Sequence, residues 1–151
     1  MNKVYKHRAL APDEYLGHVD ADGRVYESRL GPDRYVGRVD PHSGKIYEAH
    51  LGPDRHIGQV YPENGKVYLV KFGPDEYVGR VHQNGKLYLH KPLASDEYLG
   101  KVVQMSSRIH GGGAFLLLVI PDYDEQAAAE ADETLETDLG REDTGPAPAP
   151  A

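Results

Sequence analysis

Hydrophobic and polar positions recur along the first hundred residues with a period of 20 or 21. Each unit opens with an aliphatic residue followed by tyrosine, and a later segment of each unit has the pattern aromatic-x-Gly-x-Val, in which the aromatic is once histidine. The repeated positions are Tyr5, Tyr26, Tyr47, Tyr68 and Tyr88, with Gly17, Gly37, Gly58, Gly79 and Gly100. A fixed period of this length indicates a repeat architecture, in which each unit buries apolar surface against its neighbours.

Each unit reads as two short strands and two turns. Aliphatic and aromatic residues such as Ile46 and Tyr47 suit a pleated strand, and the Leu-Gly-Pro-Asp segment at 51–54 suits a turn because proline fixes φ. Closing turns such as Asn64-Gly65 supply the positive φ that hairpins need. The sequence therefore predicts an all-β fold over residues 1–110, an antiparallel meander of about five β-hairpin repeats with a partial sixth copy from Arg108.

The meander has two possible forms, an open curled sheet and a closed barrel. An open sheet of about ten strands is near the size at which sheets curl or split. Closure would also remove the two free edges of the sheet. The strand count therefore favours a curled or closed form over a flat one.

Strand alternation predicts which side chains share a face. In the segment 35–39, a period of two places Tyr35, Gly37 and Val39 on one face and Val36 and Arg38 on the other. A glycine between two large residues leaves a gap, and we expect an aromatic ring from the neighbouring strand to cover it. This interpretation assigns the repeated tyrosines and glycines a structural role.

An apolar segment follows the repeats at 111–121. It consists of three glycines, seven apolar residues from Ala114 to Ile120, and Pro121. Seven apolar residues are too few to cross a bilayer as a helix. We expect a glycine hinge followed by a closing strand that is buried against the sheet, and the alternative is an exposed docking segment for a partner.

The residues from 122 to 151 form an acidic tail. They contain ten acidic side chains and one basic one, Arg141, which gives −9, and the remaining +2 of the body brings the chain to −7. The first part is rich in helix-forming residues, and the Pro-Ala end is of low complexity, so the sequence predicts a disordered tail with transient helix. It serves either to keep the protein in solution or as an acidic arm that competes for the basic face of the body.

Basic residues recur at fixed places in the units. They precede the aliphatic–tyrosine pair and also lie in the second strands, and the candidate binding residues are Arg24, Lys45, Lys66 and Lys86, with Arg38 and Arg80. One interpretation is cross-strand charge pairing, because aspartate recurs in the turns. The other is a basic stripe, flanked by tyrosines, for the phosphates of nucleic acid or phospholipid, although a body charge of +2 argues against strong polyanion binding.

Catalytic and metal-binding motifs are not found in the sequence. The spacings of a zinc site, a nucleophile elbow and a phosphate loop are all missing, and His50 with His56 is the one histidine pair worth testing. The sequence therefore predicts a non-enzyme without metal or cofactor. The absence of cysteine excludes disulfides, and the N-terminus lacks a secretory h-region, so we expect a cytoplasmic protein.

The Tyr-x-Gly-x-apolar strand, the turn glycine and the following Lys-Val-Tyr, found across residues 3–103, resemble the MORN repeat. MORN units are β-hairpins that stack into elongated sheets. The resemblance implies a scaffold that holds partner proteins or lies at acidic membrane surfaces. We therefore predict a non-catalytic binding or structural module for a protein partner, with anionic-surface binding as the alternative, while the partner's identity and the oligomeric state stay open.

Overall fold

A computed structural model describes residues 1–131 of the chain. Its first 103 residues form ten antiparallel strands. They are β1 Lys3–Lys6, β2 Glu14–Val19, β3 Arg24–Glu27, β4 Arg34–Val39, β5 Lys45–Glu48, β6 Arg55–Val60, β7 Lys66–Leu69, β8 Glu76–Val81, β9 Lys86–Leu89 and β10 Glu97–Val103.

The strands close into a barrel. Each pairs with the next along the chain, and β1 pairs with β10, so the closed form of the predicted meander is confirmed. At the closing seam Val4 lies opposite Val102, and within the chain Val25 lies opposite Val19 in the same register. The five hairpins are therefore related by an approximate fivefold rotation about the barrel axis, and no sheet edge is left unpaired.

A ring of ten aliphatic side chains, one from each strand, lines the barrel interior. They are Val4, Val19, Val25, Val39, Ile46, Val60, Val67, Val81, Leu87 and Val102, and none is more than 3% exposed. Branched side chains suit the wall of a small barrel, which has to be filled by its own residues. The repeated aliphatic position of the sequence is thus the core of the fold.

Each odd-numbered strand meets the following even-numbered strand through a one-residue bulge. In the second hairpin Val25 lies opposite Gly37 and Tyr26 lies opposite Tyr35, so that Val36 is extra. A bulge reverses the alternation of faces beyond it. The prediction that Tyr35 shares a face with Gly37 is therefore wrong, because Gly37 faces the interior and Tyr35 lies outside beside Tyr26.

The glycine of each even-numbered strand lies against the neighbouring strand. A Cβ built on Gly37 would come within 2.3 Å of the carbonyl oxygen of Tyr47 and within 2.9 Å of Leu117. Equivalent contacts recur at the other four glycines, so glycine is required there by close packing of backbone. The expectation that an aromatic ring of a neighbouring strand covers this gap is wrong, since at Gly37 the covering side chain is Leu117, which follows the strands.

The apolar segment after the strands is a helix inside the barrel. Helix α1, Arg108–Ala114, continues into a π-helical stretch, Phe115–Val119, and every residue from 109 to 119 is buried. The predicted closing strand is therefore wrong, and so is the partial sixth repeat from Arg108, because Arg108 begins a helix and not a strand. A short run that is apolar on all sides is typical of both a buried strand and a buried helix, and periodicity alone does not separate them.

The three glycines 111–113 are helical, so the predicted hinge is also wrong. A Cβ on Gly112 would lie 2.5 Å from the Cβ of Val60, and one on Gly113 would lie 2.8 Å from a methyl group of Val39. Glycine is an unfavourable helix residue by about 1 kcal/mol relative to alanine. Here it allows the helix backbone to pass through the narrow ring of aliphatic side chains.

Two buried polar side chains fix the helix entrance. The Asn2 amide donates to Ser106 Oγ at 2.9 Å, and its carbonyl oxygen accepts from the Ser106 N–H at 2.7 Å. The ring of His110 donates from Nε2 to the carbonyl oxygen of Ala21 at 3.1 Å and accepts at Nδ1 from the Ser107 hydroxyl at 2.8 Å. These bonds satisfy groups whose burial would otherwise be costly.

The chain divides into two compact units, Met1–Ile120 and Pro121–Ala151. Residues 120–131 are helical, in keeping with the helix-forming composition of the start of the tail. The predicted disorder of the tail concerns mainly residues 132–151, which lie outside the described part. Among residues 1–131 no helix has the length and apolar character needed to cross a bilayer.

Candidate binding surfaces

The barrel has two different ends, because hairpin connections alternate between them. The connections from odd-numbered to even-numbered strands lie at one end, which we call the loop rim. The closing turns from even-numbered to odd-numbered strands lie at the other, the turn rim. Helix α1 enters at the turn rim, and its direction takes the chain toward the loop rim at Ile120.

Each connection of the loop rim carries a large apolar side chain at its tip. The five residues, which we call the apolar crown, are Leu10, Leu30, Leu51, Phe72 and Leu93, and their exposures range from 96% to 109%. The hairpins are related by rotation about the barrel axis, so the five tips lie at nearly the same height. Scattered single exposed leucines are ordinary, but five at equivalent positions form a surface feature.

The loops hold these tips in fixed turns. In three loops the crown residue precedes a glycine of positive φ, at Gly31, Gly52 and Gly73. The fifth loop lacks that glycine, and Leu93 itself has a φ of 64°. A branched or bulky residue with positive φ is strained, so the fifth loop keeps a fully exposed leucine at a cost in stability.

An ion pair lies at the base of each loop and joins a residue near its start to one in the strand that follows it. The pairs are Arg8–Glu14, Glu27–Arg34, Glu48–Arg55, Lys71–Glu76 and Lys91–Glu97, with N–O distances from 2.5 to 3.3 Å. Two of these pairs, Glu27–Arg34 and Glu48–Arg55, join facing strand residues, and all five use glutamate rather than the aspartates on which the predicted charge pairing rested. These partly exposed pairs add little stability, and they neutralise most of the charge around the apolar crown.

Outward-facing residues nearer the turn rim form a second feature, which we call the cation belt. Its ten positions, in chain order, are Lys3, His18, Arg24, Arg38, Lys45, Gln59, Lys66, Arg80, Lys86 and Lys101. Eight of the ten are lysine or arginine. The belt contains all six basic residues that the sequence singled out, and it brings them to one level of the barrel.

Like charges face each other within the cation belt. Arg24 lies opposite Arg38, and Lys66 lies opposite Arg80 in the strand register. Like charges directly opposite each other destabilise a sheet. Burial, together with nearby cations that include Arg80, lowers the pKa of His82 at the turn rim.

Aspartates from the loop-rim connections neutralise part of the cation belt. Asp54 accepts from Arg38 Nε at 3.3 Å, and Asp13 lies 3.5 Å from the Lys101 ammonium. The side chains of Lys3 and Lys45 make no ion pair with any residue in the described range 1–131. Ion pairs therefore involve some of the belt cations on even-numbered strands. Most of the belt lysines on odd-numbered strands make no ion pair within residues 1–131 and can contact a ligand.

Aromatic side chains form a third ring between the cation belt and the apolar crown. The members of this aromatic belt are Tyr5, Tyr15, Tyr26, Tyr35, Tyr47, His56, Tyr68, Tyr77, Tyr88 and Tyr98. They pair across each hairpin with ring centroids 5.4 to 5.9 Å apart. The Arg38 guanidinium lies 4.0 Å from the ring centroid of Tyr47, so the two belts are in contact.

Burial raises the pKa of four phenols of the aromatic belt, those of Tyr15, Tyr35, Tyr77 and Tyr98. Burial, and then the hydrogen bond that Tyr35 donates to Asp54 Oδ2 at 2.9 Å, raises the pKa of Tyr35 to about 12. A folded-state pKa above the ordinary value of about 10 stabilises the fold below pH 10, and this contribution is lost as the pH rises toward 12. In an ultraviolet titration of tyrosinate we expect Asp54→Asn to shift one late phenol to lower pH and Tyr35→Phe to remove it. Complete titration of the wild-type protein near pH 10 would contradict this assignment.

The structure does not join His50 and His56 into a site. The His50 Nδ1 contacts the carbonyl oxygen of Leu51 at 2.6 Å, and the His56 Nε2 contacts that of Gly58 at 2.9 Å. Each ring is therefore engaged with nearby backbone. Within residues 1–131 no group of three or more potential metal ligands is found.

The apolar crown was missed in the sequence. Its signal was present, because Leu30, Leu51 and Phe72 each precede the repeated Gly-Pro-Asp turn. A large apolar residue next to a proline turn is ordinarily the last residue of a buried strand. Here the preceding strand ends three residues earlier, at Glu27, Glu48 or Leu69, so the apolar side chain lies in the loop and stays exposed.

Comparison with protein-family models, curated proteins and solved structures gives no match to this chain.

Proposed function

We propose that the protein is a non-catalytic binding module that holds a protein partner on the apolar crown. The observation that carries this proposal is the full exposure of five large apolar side chains at equivalent loop tips. Exposed apolar groups that recur at one end of a molecule are typical of interaction sites. The MORN-like construction of the repeats, which stays a prediction, agrees with a scaffold role.

The interior supports the same function. Helix α1 and the π-helical stretch fill the barrel with apolar side chains, and the repeated polar chemistry lies on the outer wall. A ligand therefore meets the barrel from outside. Loops on a rigid scaffold are a common place for binding residues.

The energetics require a partner that contacts most of the crown. Full burial of a leucine or phenylalanine side chain gains about 1.5–3 kcal/mol, so five tips supply roughly 7–15 kcal/mol before losses. Association costs about 4–15 kcal/mol in lost freedom of motion. One or two tips supply at most about 6 kcal/mol and offset only the low end of this cost, whereas a partner face that covers all five tips supplies a gain comparable with most of its range.

Site-specific photo-crosslinking tests the proposal. We expect a photoreactive residue at Leu51 or Phe72 to give the same single crosslinked protein in extract of the source organism. Replacing the other crown residues with serine should abolish the product, because the partner loses most of its buried apolar contacts. A matched probe at Asp22 or Asn84 on the turn rim should give no such product.

Loss of the crosslinked product supports the proposal only if the serine variants remain folded. All crown residues are exposed, so we expect thermal unfolding of the variant within a few degrees of wild type. Equal crosslinking from both rims, or a product that survives the serine substitutions in a folded protein, would show that the crown is not the docking surface.

A further inference from the structure

We propose that the cation belt and the aromatic belt together bind single-stranded nucleic acid wrapped around the outside of the barrel. The phosphates would contact the cation belt, and the bases would stack on the aromatic belt. This site is separate from the apolar crown and does not depend on the protein-binding function.

The charge arrangement is the first step of the argument. Eight of ten cation-belt positions are basic, and three hairpins place two cations directly opposite each other. Aspartates compensate Arg24, Arg38 and Lys101 in two of these pairs. In the third pair, Lys66 and Arg80 make no ion pair within residues 1–131, so their repulsion is not compensated there. A bound chain of phosphates would relieve the repulsion and release its counterions.

The aromatic belt adds a second, independent feature. Its ten positions are all tyrosine or histidine, and Tyr15 and Tyr35 are the most exposed of its tyrosines. The ammonium groups of Lys66 and Lys86 lie 5.6 and 5.9 Å from the ring centroids of Tyr77 and Tyr98. Cations beside aromatic faces are the combination that proteins use to hold single strands without sequence preference.

The shape of the barrel selects the form of the nucleic acid. The two belts encircle a narrow convex cylinder, in which neighbouring strands are about 4.8 Å apart. Tilt of the strands lengthens this step around the barrel, toward the length of one nucleotide in an extended strand. Duplex DNA has a persistence length of about 150 base pairs, so it would touch only a short arc. A flat bilayer would likewise meet one side of the cylinder, whereas a flexible single strand can follow the curve.

The acidic tail should weaken the binding of nucleic acid to the barrel. Residues 122–151 carry a net charge of −9, and they compete with phosphates for the cation belt wherever the tail can reach it. We therefore expect weak binding at physiological salt and much tighter binding at low salt. Changing the ten tail carboxylates to amides should raise the affinity.

The test is a titration of the full chain with a fluorescently labelled oligothymidylate of about 12 nucleotides, a length within the range of known single-strand sites. The chain has no tryptophan, so its intrinsic emission comes from tyrosine, and base stacking should quench it. Contact with four phosphates predicts a slope of about −3 for log K against log salt. A duplex of the same length and vesicles of phosphatidylcholine with phosphatidylglycerol serve as the other probes.

Matched variants separate the belts from overall charge. Changing Lys66, Arg80, Lys86 and Lys101 to glutamine should weaken oligonucleotide binding at least tenfold and remove most of the salt slope. The control changes four loop-rim cations, Arg8, Arg29, Arg55 and Lys71, to glutamine and so removes the same charge. We expect the control to lose less than about threefold.

A second pair of variants tests stacking. Tyr15→Leu with Tyr35→Leu should weaken binding by about 5- to 100-fold and remove much of the quenching. Tyr61→Leu is the comparison, because Tyr61 is similarly exposed at 39% and is not one of the ten belt positions, although its ring contacts the edge of the belt at Tyr68. The crown serine variant should bind the oligonucleotide as the wild type does.

Several outcomes would overturn the inference. Equal losses from the belt and loop-rim charge variants would mean general electrostatic attraction. Binding of duplex as tight as that of single strand would contradict the role of curvature. Vesicle binding that needs the cation belt, without oligonucleotide binding, would assign the belt to a membrane surface.

Discussion

Phe115→Ala should be among the most damaging single substitutions in the barrel, with an expected loss of about 3–5 kcal/mol in the free energy of unfolding. The Phe115 ring is fully buried and covers Gly79, whose Cβ position lies 2.7 Å from the ring Cζ. The bulged wall at Gly79 has no side chain with which to fill the space. Such a loss lowers the midpoint of thermal unfolding by roughly 10–20 °C, which circular dichroism would measure.

The chain supplies its own control, because it contains only two phenylalanines. Phe72 is fully exposed in the apolar crown, and Phe72→Ala should change the free energy of unfolding by less than about 0.5 kcal/mol. Similar effects at the two positions, or a small effect at Phe115, would mean that the helix is not inside the barrel.

The hairpin repeats could be predicted from the sequence because their signals are local. The aliphatic–tyrosine pair predicts a strand, and the turn glycines Gly23, Gly44, Gly65 and Gly85 have the positive φ that hairpin turns need. The strand count favours closure of the sheet into a barrel, but the sequence does not decide between a closed barrel and a curled open sheet. Closure depends on register across the seam between β1 and β10, whose partners lie about a hundred residues apart.

The helix inside the barrel could not be predicted from the sequence, because it depends on contacts with strands that are distant along the chain. Residues 111–113 read as a hinge when only the preference of glycine is considered. In the fold they are helical, and glycine is needed there because the ring of aliphatic side chains leaves no room for a Cβ. That ring exists only after closure. In the same way, the apolar run Phe115–Val119 has no polar face, since the barrel surrounds it on all sides.

The candidate surfaces were partly predictable for a related reason. Repetition places Arg24, Lys45, Lys66 and Lys86 in columns whatever the final form of the sheet. The bulges decide which face the second aromatic of each hairpin occupies, and they are not visible in the alternation pattern. The aromatic belt therefore required the structure, while the basic residues of the cation belt did not.

Gly112→Ala should destabilise the protein by about 2 kcal/mol, although helix propensity alone predicts a gain of about 1 kcal/mol. The new Cβ would lie 2.5–2.8 Å from the Cβ and both γ-methyl groups of Val60, and the Cβ of Val60 is fixed by strand β6. Neither backbone can move without disturbing the barrel wall. Chemical unfolding followed by circular dichroism would give the difference in free energy.

A compensating change separates this clash from other causes. Val60→Ala alone removes two buried methyl groups and should cost about 1–3 kcal/mol. In the double variant Gly112→Ala with Val60→Ala, the new methyl group occupies part of the vacated space. We therefore expect the double variant to be more stable than the sum of the two single losses predicts by at least about 1 kcal/mol. Additive losses, or a Gly112→Ala protein that is more stable than wild type, would show that a Cβ at Gly112 does not clash with Val60.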